Sequence, residues 1–189
     1  LDDVRFALVD MKIAVTGLGA ADRQDAGHFA VAAQGADGSE LIVKLYGRDA
    51  YDAALVSTVW RTIWLRQPGS PVGFGRLRQV EHEALLTLLA AQGGIATDSV
   101  VTAGATHSAD AVLVLRRTGT LLVEPGRFAH DDTQVDPPFV GDDGPRRLRE
   151  LWQLLATLHD NGIAHGKLDE AHLVIDDGRV GLIDFRGAA

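Results

Sequence analysis

The pattern of apolar and polar positions divides the chain into a β-rich first part and a more helical remainder. Residues 1–46 read as short strands separated by turns. Met11–Val15, His28–Ala33 and Leu41–Tyr46 are the predicted strands, and Ala36-Asp37-Gly38 is the turn before the third. Two helices are predicted next. The first, Asp49–Leu65, carries Tyr51, Leu55, Val59 and Ile63 at fourfold spacing and ends before Pro68. The second, Leu77–Ala91, aligns Val80, Ala84, Leu88 and Ala91 along one stripe and closes at Gly93-Gly94, with residues 69–75 as the intervening loop. Ser99–Ala103 and Ala111–Leu115 then read as two strands joined by a polar turn, and residues 116–119 as a link. Residues 124–145 are rich in Pro, Gly and Asp and receive no element. A helix over Arg146–Asp160 places Leu148, Leu151, Leu155 and Leu158 on one side and ends at Gly162. Short strands at Leu173–Ile175 and Val180–Ile183 flank the turn Asp176-Asp177-Gly178.

With 189 residues, 46% of them hydrophobic, the chain can bury a substantial core in one or two lobes. Its net charge of −8 argues against nucleic acid as the main partner, because phosphate neutralisation needs clustered Lys and Arg. The absence of cysteine excludes a disulfide frame and any thiolate nucleophile or metal ligand. The apolar run Ala84–Ala91 is too short to cross a bilayer. The start, Leu1-Asp2-Asp3, lacks both an initiator Met and a signal pattern, and the end falls directly after a motif that ordinarily continues, so a segment of a longer chain is expected.

Several residues carry candidate chemistry. Lys44 lies inside the apolar strand Leu41–Tyr46, and Glu81 and Glu83 lie on the second helix. Spaced by two residues, the carboxylates cannot both face one strand lysine, and the apolar followers of Glu83 favour it. Farther on come His165-Gly166-Lys167-Leu168-Asp169, then His172, then Asp184-Phe185-Arg186 after an apolar strand. The spacing of His159, His165 and His172 fits no zinc pattern. Trp60 and Trp64 share one helix face and read as core packing.

Taken in order, these elements and motifs resemble the protein kinase superfamily from about residue 10 to 187. Leu41–Lys44 resembles the strand V-A-I-K, residues 165–172 resemble H-R-D-L-x-x-x-N in the H-G form of aminoglycoside-phosphotransferase-like kinases, and Asp184–Arg186 resembles D-F-G. The resemblance implies an α+β kinase-like fold: a five-stranded antiparallel N-lobe with a helix over residues 1–118, and a truncated, mainly helical C-lobe over 119–189. It also implies that Lys44, Glu83 and Asp184 bind nucleotide, with Asp184 as the metal ligand.

The family's glycine loop is poorly matched. Residues 25–32 keep only Gly27 and the aromatic Phe29, Gly17-Leu18-Gly19 lacks a third glycine, and an ordinary β-turn fits better. Two departures bear on catalysis. Lys167 stands where the catalytic Asp belongs and offers no acceptor for a hydroxyl proton. His172 replaces the metal-binding Asn, and Mg²⁺ prefers oxygen to imidazole. Loss of the base alone costs a factor on the order of 10²–10⁴ in rate. Asp169 is a candidate displaced base, its plainer role being to start or cap a turn. Arg186 removes the freedom that a glycine gives the metal-binding turn. The resemblance therefore implies a pseudokinase: a regulatory or docking module sensing ATP, with or without Mg²⁺. Its alternatives are an active small-molecule or lipid kinase, with Lys167 neutralising the γ-phosphate, and a scaffold with no nucleotide site.

A narrower resemblance rests on residues 41–50, Trp60–Trp64 and Gln79–Ala84. These are similar to bacterial membrane proteins related to the transmembrane region of lysylphosphatidylglycerol synthase, some of which carry a kinase-like domain ahead of their membrane helices. That implies a cytoplasmic-face segment of a plasma-membrane protein, whose partner is its own membrane domain or another protein.

Overall fold

A computed structural model describes residues 2–21, 28–46, 75–106, 110–122, 139 and 142–189. The predicted helix at 49–65, with Trp60 and Trp64, and the candidate loop glycine Gly27 lie outside them. Packing groups the chain into two compact units. Residues 1–84 and 100–117 form the first, and residues 85–99 and 118–189 form the second. Residues 85–99 thus belong by packing with the later part of the chain.

In the first unit, helix α1 (Asp2–Asp10) precedes strands β1 (Val15–Ala20), β2 (Phe29–Gly35) and β3 (Glu40–Tyr46). Helix α2 (Arg76–Gln92), β4 (Ser99–Ala105) and β5 (Ala111–Arg116) follow. The five strands form one sheet in the order β1-β2-β3-β5-β4. β2 and β5 flank β3 antiparallel, setting Lys44 opposite Ala30 on one side and Leu113 on the other. Successive side chains of a strand face opposite ways. Leu41, Val43, Val112 and Val114 accordingly pack with Val4 and Leu8 of α1, while Leu113, Leu115 and Tyr46 pack with Val80 and Ala84 of α2. Both faces of the central strands are covered, which accounts for the unbroken apolar run of β5.

The helix α1 corrects the reading of residues 1–46 as strands and turns. Val4, Ala7 and Leu8 are its buried stripe, at i, i+3 and i+4, and Phe6 and Val9 point outward, so apolar residues on both sides hid the helical period. The first strand also begins at Val15, where the predicted one ended. On α2 the buried face is Val80, Glu83, Ala84, Thr87 and Ala90, while Leu88 of the predicted stripe is exposed.

The second unit holds strand β6 (Thr120–Leu121), helix α3 (Gly144–Asp160), β7 (Leu173–Asp176) and β8 (Arg179–Leu182), with one-turn 3₁₀ helices at Glu170–His172 and Phe185–Gly187. β6, β7 and β8 form a small sheet in that order. β6 is too short to leave a sequence pattern. Its core gathers Leu86, Ala90 and Ile95 with Leu151, Leu154 and Leu158 of α3, and with Leu173, Leu182 and Phe185. Leu148, placed in the α3 stripe by spacing, is exposed, and Leu154 takes its place. α3 ends in a Schellman motif: Ile163 N–H donates to the Leu158 carbonyl and Gly162 N–H to that of His159, with Gly162 at φ +73°.

Candidate functional site

Among the described residues, a buried polar cluster lies in each unit. In the first unit, Lys44 and Tyr46 are two residues apart on β3 and so share the face that α2 covers. Glu83 reaches that face from α2. Its Oε1 lies 2.6 Å from Lys44 Nζ, and its Oε2 accepts from the Tyr46 hydroxyl. Lys44, Glu83 and Tyr46 are all buried, Glu83 completely. The His28 ring stacks on Tyr46 with centroids 5.5 Å apart. Of the two carboxylates that the sequence offered, Glu83 meets Lys44 and Glu81 is exposed.

A charge pair in an apolar strand is costly to desolvate, and geometry decides whether it stabilises. Here both carboxylate oxygens are engaged by donors from a single strand. The arrangement fixes the lysine ammonium and the rotation of α2 together, as an anchored positive charge requires.

In the second unit, residues 163–169 form a loop tied to the chain end that follows β8. Ala164 and Ala189 exchange backbone hydrogen bonds in both directions, and Leu182 N–H donates to the Ala96 carbonyl at 2.9 Å. Gly166, at φ +76°, lies against Gly187: a Cβ there would collide with the Gly187 carbonyl oxygen and stand 2.9 Å from its carbon. The H-G form of this loop is therefore a packing requirement, since an arginine at 166 has no room.

His165 is buried. Its Nε2 donates to the Ile183 carbonyl at 3.0 Å, and its ring meets the Phe185 ring edge-on with centroids 5.0 Å apart. Burial lowers its pKa below the ordinary histidine value, opposed in part by the Ile183 carbonyl. A histidine whose folded pKa is depressed contributes stability that is complete above its unfolded pKa of 6.5 and is lost as pH falls through the lower folded value. The melting temperature is therefore expected to drop on acidification below that point. His165→Asn is expected to flatten that part of the profile, and calorimetric scans of both proteins at a series of pH values between neutral and mildly acid check it. An unchanged slope in the variant would count against the assignment.

Asp169 caps the turn at Glu170–His172, accepting from Ala171 N–H at 3.0 Å, and also binds His172 Nδ1. This is the turn-capping role rather than that of a free base. His172 is buried at 1% exposure, and its Nε2 lies 3.4 Å from Asp184 Oδ2. Asp184 sits at φ 65°, ψ 72°. A non-glycine residue held in the left-handed region is uncommon, although Asp tolerates it better than most. Lys167 is exposed, as is Asp169. Among the described residues, no three His, Asp or Glu side chains converge in a way that could hold a metal ion.

No protein-family model and no curated protein matches the sequence. Among solved structures, the complex of Rv3197 with erythromycin from Mycobacterium tuberculosis aligns with the whole chain at TM-score 0.59 and 18% identity. The fold is kinase-like. The chain spans about half, 51%, of that protein's length. Matching solved chains number 753, and so widespread a fold cannot by itself choose a function.

Within the kinase-like fold, Lys44 and Glu83 are a strand lysine and helix glutamate in direct contact, and Asp184 follows the last strand and is tied to His172. Gly17 and Gly19 lie within β1, paired with Gln34 and Ala32 of β2, and are not a loop over a ligand. Tyr46 and His28 were not singled out from sequence. The signal for Tyr46 was available, since a polar-tipped residue two places after Lys44 must share its face. Neither the link from His172 to Asp184 nor that to Asp169 has a signature in spacing.

Proposed function

We propose that this chain is the catalytically impaired, kinase-like regulatory or docking domain of a larger bacterial membrane protein, and that it binds nucleotide. The observation that carries the reading is the buried contact of Lys44, Glu83 and Tyr46. A lysine desolvated in a β-sheet and clamped by a carboxylate is expensive to maintain, and it supplies what a nucleotide phosphate needs, a positioned cation. Lys44, Glu83, Gly27 and Asp184 are the residues assigned to nucleotide. Lys167 and His172 support the loss of catalysis, because Lys167 offers no acceptor for the substrate proton and His172 puts an imidazole where a metal-binding oxygen is needed. The N-lobe and truncated C-lobe of this reading correspond to residues 1–118 and 119–189. Trp152 and Leu148, exposed on α3, suit a protein partner such as the parent's membrane domain. Among the described residues no helix is long and apolar enough to cross a membrane, so the membrane portion belongs to other parts of the parent.

The test is thermal unfolding with ATP and Mg²⁺. A ligand at a hundred times its Kd adds about 2.7 kcal/mol, which in a chain of this size raises Tm by roughly 5–10 °C. That shift is expected for the native protein and absent in Lys44→Met, with no ADP produced by either. No shift at saturating ATP would leave a scaffold without nucleotide; steady ADP production lost in Asp184→Asn would instead establish an active kinase. The active-kinase reading is favoured by one finding, that a protein of this fold has been solved with the small molecule erythromycin.

A further inference from the structure

A kinase-like fold implies a divalent metal, and the residues of the second unit can be asked whether they fit one. Mg²⁺ demands near-octahedral oxygen ligation at about 2.0–2.1 Å. The Asp184 carboxylate could contribute, but its Oδ2 faces His172 Nε2 at 3.4 Å. Where the fold's second oxygen ligand belongs, the chain has an imidazole, 1% exposed and held through Nδ1 by Asp169. The two nitrogens of an imidazole point away from one another, so Asp169 and Asp184 lie on opposite edges of the ring. They cannot close on a common ion, in keeping with the lack of any three-ligand cluster among the described residues. Lys167, a cation at the position of the missing carboxylate, adds no ligand. The residues do not fit Mg²⁺.

We infer that His172, hydrogen-bonded on one side to Asp169 and facing Asp184 at 3.4 Å on the other, takes the structural place of the metal, so that a nucleotide or other phosphate-bearing ligand binds this domain without a divalent cation. The bridge performs the part of a metal's work that concerns the protein alone: it fixes the direction of the Asp184 carboxylate and ties the loop at 169–172 to the turn after β8. The positive charge that meets the ligand's phosphates then comes from side chains. This inference rests on the nucleotide-binding reading for its ligand, but its metal half stands separately.

The experiment uses the native chain and Mn²⁺ alone, followed by the electron paramagnetic resonance of the free ion. No saturable site is expected in the native protein, and one is expected in His172→Asn, which restores an amide oxygen and releases Asp184. A saturable Mn²⁺ site in the native protein that Asp184→Asn abolishes overturns the inference. Because that arm needs no variant at 172, failure of His172→Asn to fold leaves the native titration to decide. In the second arm, ATP is titrated calorimetrically in EDTA and in Mg²⁺. Affinities within about twofold are expected for the native protein, and a metal preference of about tenfold or more for His172→Asn, the scale on which altered metal surroundings act. ATP binding that EDTA abolishes also overturns it. If ATP fails to bind under every condition the nucleotide reading falls, while the Mn²⁺ arm still decides whether His172 excludes a metal.

Discussion

Glu83→Ala is expected to lower stability by about 3–5 kcal/mol, the cost of breaking a buried ion pair by removing one partner. The substitution takes the carboxylate from the buried Lys44 ammonium, which lies opposite Ala30 and Leu113, and the acceptor from the Tyr46 hydroxyl. A fall in Tm of roughly 10 °C follows for a chain of this length, and where the units melt separately it belongs to the transition that includes β3. The comparison that isolates the cause is the double variant Lys44→Met/Glu83→Leu. Replacing a buried pair by apolar residues of similar volume is often neutral or stabilising by about 1–4 kcal/mol, so the double variant is expected to melt well above Glu83→Ala although it carries one more substitution. On the proposed nucleotide-binding function, ATP binding should be absent in both. If the double variant is no more stable than Glu83→Ala, the lost contact was one of packing and the charge was incidental.

The second large effect is expected at Gly166. Gly166→Ala forces a Cβ onto the Gly187 carbonyl and puts an L side chain at φ +76°. Gly162→Ala is the natural control, because Gly162 has nearly the same φ, +73°, and open space where its Cβ would go. The control should cost only the left-handed backbone penalty, about 1–2 kcal/mol. Gly166→Ala adds an overpacking term of about 1–3 kcal/mol, and the two backbones cannot separate without breaking the reciprocal Ala164–Ala189 hydrogen bonds. Denaturant unfolding of the two variants reads the difference directly, and hydrogen exchange at Ala164 and Ala189 should quicken in Gly166→Ala alone. Equal losses in the two variants would mean that the loop moves aside freely and that the H-G pair is not a packing requirement.

These residues also mark how far the sequence was legible. Lys44 and Glu83 could be paired because a strand lysine among aliphatics and a helix carboxylate among apolar neighbours both stand out against their surroundings. β3 and β5 were legible for the same reason. Helix α1 was not, because Phe6 and Val9 are apolar yet face outward, and α3 misled at Leu148, where spacing placed an exposed side chain in the core. Helical spacing identifies a helix more reliably than it identifies which side is covered, since that depends on neighbours distant in sequence. His172 could be recognised as a departure from a motif, but its approach to Asp184 exists only because the chain returns through β7 and β8. No local pattern encodes a meeting across a hairpin.

Helix α2 carries one further consequence. Its residues through Ala84 pack with the first unit and those from Leu85 with the second, and the chain returns to the first unit at Val100 before leaving it again after Arg117. The two halves are therefore not beads on a string that recombination could shuffle. A gene break after codon 117 would strand residues 85–99, with Leu86, Ala90 and Ile95, away from the α3 leucines that bury them. A break inside α2 would divide the helix that positions Glu83. Either cut separates residues that pack together in this chain.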